Sequence, residues 1–366
     1  MNRVFVFFTL ITFFAITDFL QAQTKFVMSG LSHGHSHWIF QKSFQGDFEL
    51  VGVHEDNKEL IASFIKNYQL DESLFFASME EMLDKTDADG VLAFGPVSQH
   101  LNVVKAAAVR GIHVMVEKPL AFRASEAEEI QTLAEQHNIH VLTNYETSWY
   151  PSTDALSFKL RSEEDAFGNI RKAVFRHGHK GPQEIGVGKE FFDWLTDPKQ
   201  NGAGALVDFG CYGANIMTFL VDGQVPLSIT AVTQTHKPDI YKRVDDEATI
   251  ILTYPGVQAI IQASWNWPFD RKDMQVYTEN GYLLTMDKES LYSRVGQEKE
   301  ETVQFLSKEM TGTETNPFQY FAEVIQGEIQ VPPYGLYSLE NNILVARILE
   351  AAIESAESGK TVYFEK

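Results

Sequence analysis

Between residues 25 and 144, short apolar runs alternate with longer stretches whose apolar residues recur every three or four positions. Lys25–Ser29, Phe48–His54, Leu74–Phe76, Asp89–Phe94, His113–Val116 and His140–Thr143 read as strands, short and apolar between turn-forming residues. Between them, His35–Phe44, Asn57–Tyr68, Met79–Lys85, Gln99–Arg110 and Ser125–His137 carry helical spacing. Gly111 stands where a left-handed cap ends a helix, and Ser125 with Glu128 forms a capping-box pattern. This alternation predicts βαβ units and a parallel sheet covered on both faces.

After Asn144 the period shortens to two. Ile170–Gly178, Leu227–Thr235, Glu247–Tyr254, Val257–Trp265, Asp273–Thr278 and Gly281–Met286 read as strands without helices of crossover type between them. The Tyr254-Pro255-Gly256 step has hairpin chemistry. The expectation is a first domain over 23–145 and an α+β domain over 146–337, with a helix at Ser338–Ser355 packing back on the first. Residues 1–22 differ from both. A cationic start at Arg3, an apolar run from Val4 to Ile16 and the end Leu20-Gln21-Ala22 describe a secretory signal peptide cut near Ala22. The expected location is therefore exported, periplasmic or secreted. The run is short for a membrane span, which needs about 20 apolar residues.

Composition narrows the function. Fifty acidic residues against 30 Lys and Arg leave a formal charge of −20, which argues against nucleic acid as a partner because phosphate binding needs a basic surface. The single cysteine, Cys211, excludes an intrachain disulfide and a thiolate metal cluster.

The first strand–helix turn reads Ser29-Gly30-Leu31-Ser32-His33-Gly34-His35. A dinucleotide turn wants glycine at its first, third and sixth positions; Gly30 supplies the first, while Ser32 and His35 occupy the others. Its place at the head of a βαβ unit supports a phosphate turn. Glu55 ends the next strand, where a carboxylate grips a ribose diol and repels a 2′-phosphate, so NAD is favoured over NADP. His33, His35 and His37 alternate. On a helix such residues do not share a face, and no acid lies near them in sequence, so no metal site is expected.

The sharpest signals are Gly95-Pro96-Val97-Ser98-Gln99-His100 and His113-Val114-Met115-Val116-Glu117-Lys118-Pro119. With the helix between them they resemble the Gfo/Idh/MocA oxidoreductases, and the likeness runs from residue 24 over nearly the whole chain. The resemblance implies an α/β Rossmann domain plus an α+β domain with an open, mainly antiparallel sheet. It also implies hydride transfer between nicotinamide and a sugar-like alcohol, with Lys118 beside both. Pro96, His100 and Glu117 join Gly30, Ser32, His33, Gly34, His35, Glu55 and Lys118 as expected cofactor contacts. In Gly204-Ala205-Leu206-Val207-Asp208-Phe209-Gly210-Cys211-Tyr212, Asp208 matches the family's Asp-x-x-x-His and Tyr212 replaces the histidine, as in its glucose–fructose oxidoreductase and dihydrodiol dehydrogenase branches. Tyrosine ordinarily ionises near pH 10, so the expectation is that the Lys118 ammonium lowers it, letting Tyr212, with Lys118, take the substrate's proton.

Asn144 and Tyr145 at the domain junction, His177 near the end of a strand and Trp265 as a stacking ring are the expected substrate contacts. Arg176 and His179 flank the same strand end. Asp245-Asp246-Glu247 reads as a strand entry with solvated acids. The resulting expectation is an exported, NAD-dependent oxidoreductase of a carbohydrate or polyol hydroxyl, with cofactor tightly bound, and a homo-oligomer by family likeness. Two alternatives stay open: an NAD-dependent glycosidase or lyase working by transient oxidation, and a non-catalytic sugar-binding protein on the same fold.

Overall fold

The computed structural model describes residues 23–298, 301–307 and 316–364, so the expected signal segment lies outside the described residues. Strands β1 (Thr24–Ser29), β2 (Phe48–His54), β3 (Phe75–Phe76), β4 (Gly90–Ala93), β5 (His113–Glu117) and β6 (Val141–Asn144) form one sheet in the order β3-β2-β1-β4-β5-β6. Every pairing is parallel. Crossover helices cover both faces, which is why β1, β4 and β5 read as near-continuous apolar runs. The strand order reverses between β1 and β4, and ligands of such sheets bind beyond the carboxyl ends there.

Two local expectations differ. The segment 35–44 is not an α-helix but two short 3₁₀ turns, Gly34–Phe40 and Lys42–Phe44. The imidazole of His33 caps the first by accepting from the His35 amide, and Trp38, Phe40 and Phe44 pack on the sheet. The helix at Ala124–His137 starts one residue before Ser125, without a side-chain cap. The Ala124 amide instead donates to Glu350, so a tertiary acceptor replaces the capping box.

The second sheet contains β7 (Ile170–Gly178), β8 (Ser228–Gln234), β9 (Glu247–Tyr254), β10 (Val257–Ser264), β11 (Arg271–Thr278), β12 (Gly281–Thr285), β13 (Ser290–Val295), β14 (Thr302–Phe305) and β15 (Val362–Tyr363). Their order is β14-β13-β12-β11-β7-β10-β9-β8-β15, antiparallel except for β7 against β10. Burial alternates strictly along β9, as a sheet covered on one face requires. The covering helices are Gly210–Leu220 and Leu339–Ser358. Gly213 lets the first come close, since a Cβ there would lie 2.8 Å from Ile261.

Helix Leu339–Ser358 serves both domains. Ala346 sits in the core of the first, Val345, Ile348 and Leu349 in that of the second. Pro317–Ile325 departs from the expected boundary: Phe318 and Phe321 pack in the core of the first domain, Phe321 stacking on Phe26. Among the described residues no helix is long and apolar enough to cross a membrane.

Candidate active site

The turns after β1 and β4 meet edge to edge. Gly30 has φ +83°, and a Cβ on it would lie 2.8 Å from the Gly95 nitrogen, so only glycine fits. Around this contact opens a crevice of about 450 Å³ lined by Gly30, Ser32, Glu55, Pro96, Gln99 and Trp194, among others. A Cβ on Gly34 would meet no atom within 4 Å, leaving the backbone there open to an approaching group. Glu55 holds the turn, its carboxylate accepting from the amides of Leu31 at 2.8 Å and Asn57 at 2.9 Å. The lining thus fits a dinucleotide: a glycine turn where backbone can approach phosphate, with a carboxylate at the end of β2.

A second cavity of about 470 Å³ adjoins it and shares Ser32 and Glu190. Lys118, directly after β5, projects into it. Its Nζ donates to Asp208 Oδ1 at 2.5 Å and to the Asp208 carbonyl at 2.9 Å. Trp265 Nε1 donates to Asp208 Oδ2 at 2.9 Å, so both carboxylate oxygens are engaged. Burial alone would raise Asp208 and lower Lys118, but their mutual attraction reverses both, and the pair stays ionised. Asp208 reaches this place on a turn that Asp245 secures. The Asp245 carboxylate accepts from the amides of Gly204 at 2.8 Å and Leu206 at 2.7 Å, and a Cβ on Gly204 would collide with the Asp245 carbonyl.

Tyr212 lines the same cavity with Lys118 Nζ 5.1 Å from its ring centre. The expected lowering of this tyrosine does not occur. Burial raises it well above its ordinary value, and Glu146, Cys211, Asp208 and Glu117 add to the rise. As the site stands in this structure, Tyr212 is a phenol and Lys118 an ammonium.

Glu117 lies behind the cavity, 1% exposed. Asn144 Nδ2 donates to its Oε1 at 2.6 Å, His35 Nδ1 lies 3.0 Å from Oε2, and His33 Nε2 lies 3.8 Å from the same oxygen. Burial would raise Glu117, but these partners hold it down at about 2. Here the structure supplies the acid that the sequence did not place near the histidines. The ligating atoms of His33, His35 and Glu117 lie within 4.8 Å of one another. Their hydrogen bonds read otherwise than as a metal set. His33 Nδ1 accepts from the His35 amide at 3.1 Å, so in the neutral ring Nε2 carries the proton, toward Glu117.

Of the expected cofactor residues, Gly30, Ser32, Glu55 and Pro96 line the crevice, while Ser32, His33, Gly34, His35 and Lys118 line the cavity. His100 lines neither. It is 1% exposed, with Nδ1 3.2 Å from the Leu120 carbonyl. The expected substrate contacts differ more. Asn144, Tyr145, His177 and Trp265 are all buried, none exposed beyond 1%, and none lines the cavity. Trp265 presents no ring face and acts through Asp208, and Asn144 acts through Glu117. Beyond Asp208 and Tyr212, the second domain's lining side chains include His179, Phe191, Phe209, Asp270 and Lys272, with Glu146 ion-paired to Lys272. His179 had a signal: it follows the strand end, where ligands sit, while His177 lies inside the strand. Lys272 had none, because its place follows from pairing opposite His177 across β7 and β11. Asp245 and Asp246 are not solvated acids, since Asp246 is fully buried and accepts from the amides of His236 and Lys237.

Comparison with known proteins agrees with this architecture. Residues 24–145 match the family model of the oxidoreductase family with NAD-binding Rossmann fold, and residues 158–284 match the GFO/IDH/MocA C-terminal domain. The chain is 23% identical over 319 residues to a trans-1,2-dihydrobenzene-1,2-diol dehydrogenase of Xenopus tropicalis, covering 84% of this chain and 90% of that protein. It is 24% identical over 297 residues to a D-xylose 1-dehydrogenase (NADP(+)) of Haloferax volcanii, covering 78% and 84%. An inositol dehydrogenase homolog of Azotobacter vinelandii, solved with NAD+, superposes with a TM-score of 0.78 at 17% identity, covering 93% and 97%. The chain belongs to the Gfo/Idh/MocA family of oxidoreductases.

Proposed function

We propose that this chain is an exported, NAD-dependent oxidoreductase acting on a hydroxyl-bearing carbon of a sugar, glycoside or polyol. The observation that carries the reading is the buried Lys118–Asp208 pair in a cavity adjoining a crevice lined by the glycine turn and Glu55. NAD bound in that crevice supplies the hydride acceptor. The protein's share is to hold the alcohol and manage its proton. Lys118 has three N–H donors and spends two on Asp208, leaving one for a substrate oxygen. Its charge stabilises negative charge developing on that oxygen. Tyr212, a phenol whose hydroxyl no described residue engages, donates a second hydrogen bond there. Both ammoniums of the cavity are matched, Lys118 by Asp208 and Lys272 by Glu146, which suits a neutral polyol better than an acid.

NAD is preferred over NADP because Glu55, Asp56, Glu190 and Asp193 line the crevice without a Lys or Arg among its lining residues. Retention of the cofactor is supported by the helix Lys189–Leu195, whose Trp194 Nε1 donates to Ser32 Oγ at 3.1 Å across the crevice. The same contact favours the second reading, a glycosidase cycle with retained NAD. Export rests on the pattern of residues 1–22. A homo-oligomer is the matching assembly, since Val232, Tyr277 and Tyr363 leave apolar surface on the second sheet.

The test is to denature the purified full chain, assay released nucleotide, and follow turnover of sugars, polyols and aryl glycosides. Released NAD with an accumulating keto-sugar supports the dehydrogenase, and free sugar over many turnovers supports the glycosidase. No nucleotide and no NAD binding on titration would leave a binding protein. Lys118→Met is expected to lower turnover at least a hundredfold, as loss of a group stabilising the reacting oxygen does.

A further inference from the structure

Two ion pairs join the domains at the cavity, and they run in opposite senses. Lys118, next after β5, reaches Asp208 of the second domain. Lys272, on β11 of the second sheet, reaches Glu146, two residues past the end of β6. β5 and β6 are paired neighbours, with Glu117 opposite Asn144, so one cation and one anion leave adjacent strand ends of the first sheet. Both cations lie against Tyr212, whose ring centre is 5.1 Å from Lys118 Nζ and 5.8 Å from Lys272 Nζ. The two nitrogens are therefore no farther apart than those distances laid end to end. A hexose or hexitol with a hydrogen bond of about 2.8 Å at each end spans that.

Glu146 is held on both sides. Its Oε1 accepts from the Tyr150 hydroxyl at 2.6 Å and its Oε2 from Lys272. Burial would raise Glu146, but Lys272 above all holds it down at about 2, so the pair is ionised. Lys272 Nζ has three N–H donors, gives one to Glu146 and meets no other acceptor among the described residues. Lys272 lines the cavity, so the other two are open to a ligand there. Its neighbours on β11 are engaged elsewhere: Arg271 donates to Asp273, which also accepts from Arg176.

We propose that Lys272, pinned by Glu146, selects a polyhydroxylated substrate by donating to a second hydroxyl while Lys118 holds the reacting oxygen. A site built to donate to a hydroxyl rejects the analogue that lacks it far better than an apolar pocket does. Lys272 takes no part in moving the proton or the hydride, and Glu146 is a positioning residue that acts through it. Because one pair is anchored at β5 and the other beyond β6, the spacing of these strand ends sets which second hydroxyl is read. The inference deepens the dehydrogenase reading and rests on it, and its test separates the two.

The experiment gives the NAD-loaded full chain a panel of D-glucose, D-xylose and myo-inositol, then the monodeoxy analogues of whichever turns over fastest, and reads kcat and KM separately. For wild type, kcat/KM is expected to fall at least tenfold for one analogue that keeps the reacting hydroxyl, as loss of a charged hydrogen bond does. In Lys272→Met that preference should shrink to within threefold, with the parent's loss mainly in KM. Lys272→Arg, which keeps a charged donor, should retain part of the preference, and Glu146→Gln should weaken it at the same hydroxyl. An equal loss for the parent and every analogue marks a pair that only ties the domains together and overturns the proposal. So does a preference that Lys272→Met leaves unchanged. Should Lys272→Met fail to fold, the other two variants decide, since both must alter discrimination at one and the same hydroxyl. Wild type active on a sugar but indifferent to every deoxy position sinks the proposal alone, whereas wild type inert toward the whole panel with NAD bound sinks the dehydrogenase reading and the proposal with it.

Discussion

Lys118 is a cation in a nearly dry place, and its stability depends on one carboxylate. Asp208→Asn keeps the shape and an acceptor but removes the charge, leaving the ammonium without its counter-ion. Breaking a buried pair from one side costs about 3 kcal/mol. Urea unfolding is expected to show that loss, with turnover falling at the same time. Lys118→Met in the Asp208→Asn background should recover most of the stability and none of the activity. Were Asp208→Asn as stable as wild type, the pair would be solvated and the buried-ammonium argument would fail. Lys118 and Asp208 were legible in the sequence because each sits in a short motif with fixed neighbours. The ionisation of Tyr212 was not. It depends on burial and on four acidic or thiol groups, of which Glu146 and Glu117 come from distant segments.

At the scale of elements, the turn bearing Asp208 is held from outside itself. Gly204 cannot carry a side chain against the Asp245 carbonyl, and the amides of Gly204 and Leu206 are satisfied by the Asp245 carboxylate. Asp245→Ala would orphan both amides, a cost of about 2 kcal/mol, and would loosen the carboxylate that positions Lys118. The expected outcome is a lower Tm with kcat reduced about tenfold and NAD affinity unchanged. Asp245→Asn, which keeps one acceptor, should fall between the two. An unchanged kcat in Asp245→Ala would show that the turn holds its shape unaided. The strands read from the sequence lie within two residues of those observed, and β7 and β9 agree in full, because parallel and one-face-covered strands leave different periods, but β13, β14 and β15 were not read. What failed were features set by distant partners: the 3₁₀ entry after β1, the cap supplied by Glu350, and Asp245 reading as a solvated acid.

For the whole molecule, the cavity proposed for the chemistry is lined from both domains, by His35 and Lys118 of the first and Tyr212 and Lys272 of the second, and its surroundings are rich in buried neutral histidine. Burial lowers His33 to about 3, His100 to about 4 and His177 to about 3, against an ordinary 6.5. A histidine lowered on folding contributes stability that is present above 6.5 and lost as pH falls toward the folded value, because the unfolded chain takes the proton first. Each such group steepens the loss by up to about 1.4 kcal/mol per pH unit. Asp245 works the other way: burial lifts it to about 6, so its contribution is present below the ordinary carboxylate range and lost as pH rises through 6. The histidines outnumber it. Stability is therefore expected to begin falling below pH 6.5, well above the pH at which carboxylates alone act, and Tm measured from pH 8 to pH 4 checks it. His100→Gln, at a residue that lines neither cavity, should flatten that slope. A Tm flat down to pH 5 would mean that the junction admits water to these rings. Such an outcome would also weaken the case for a dry site around Lys118, because the same packing of one domain on the other encloses both.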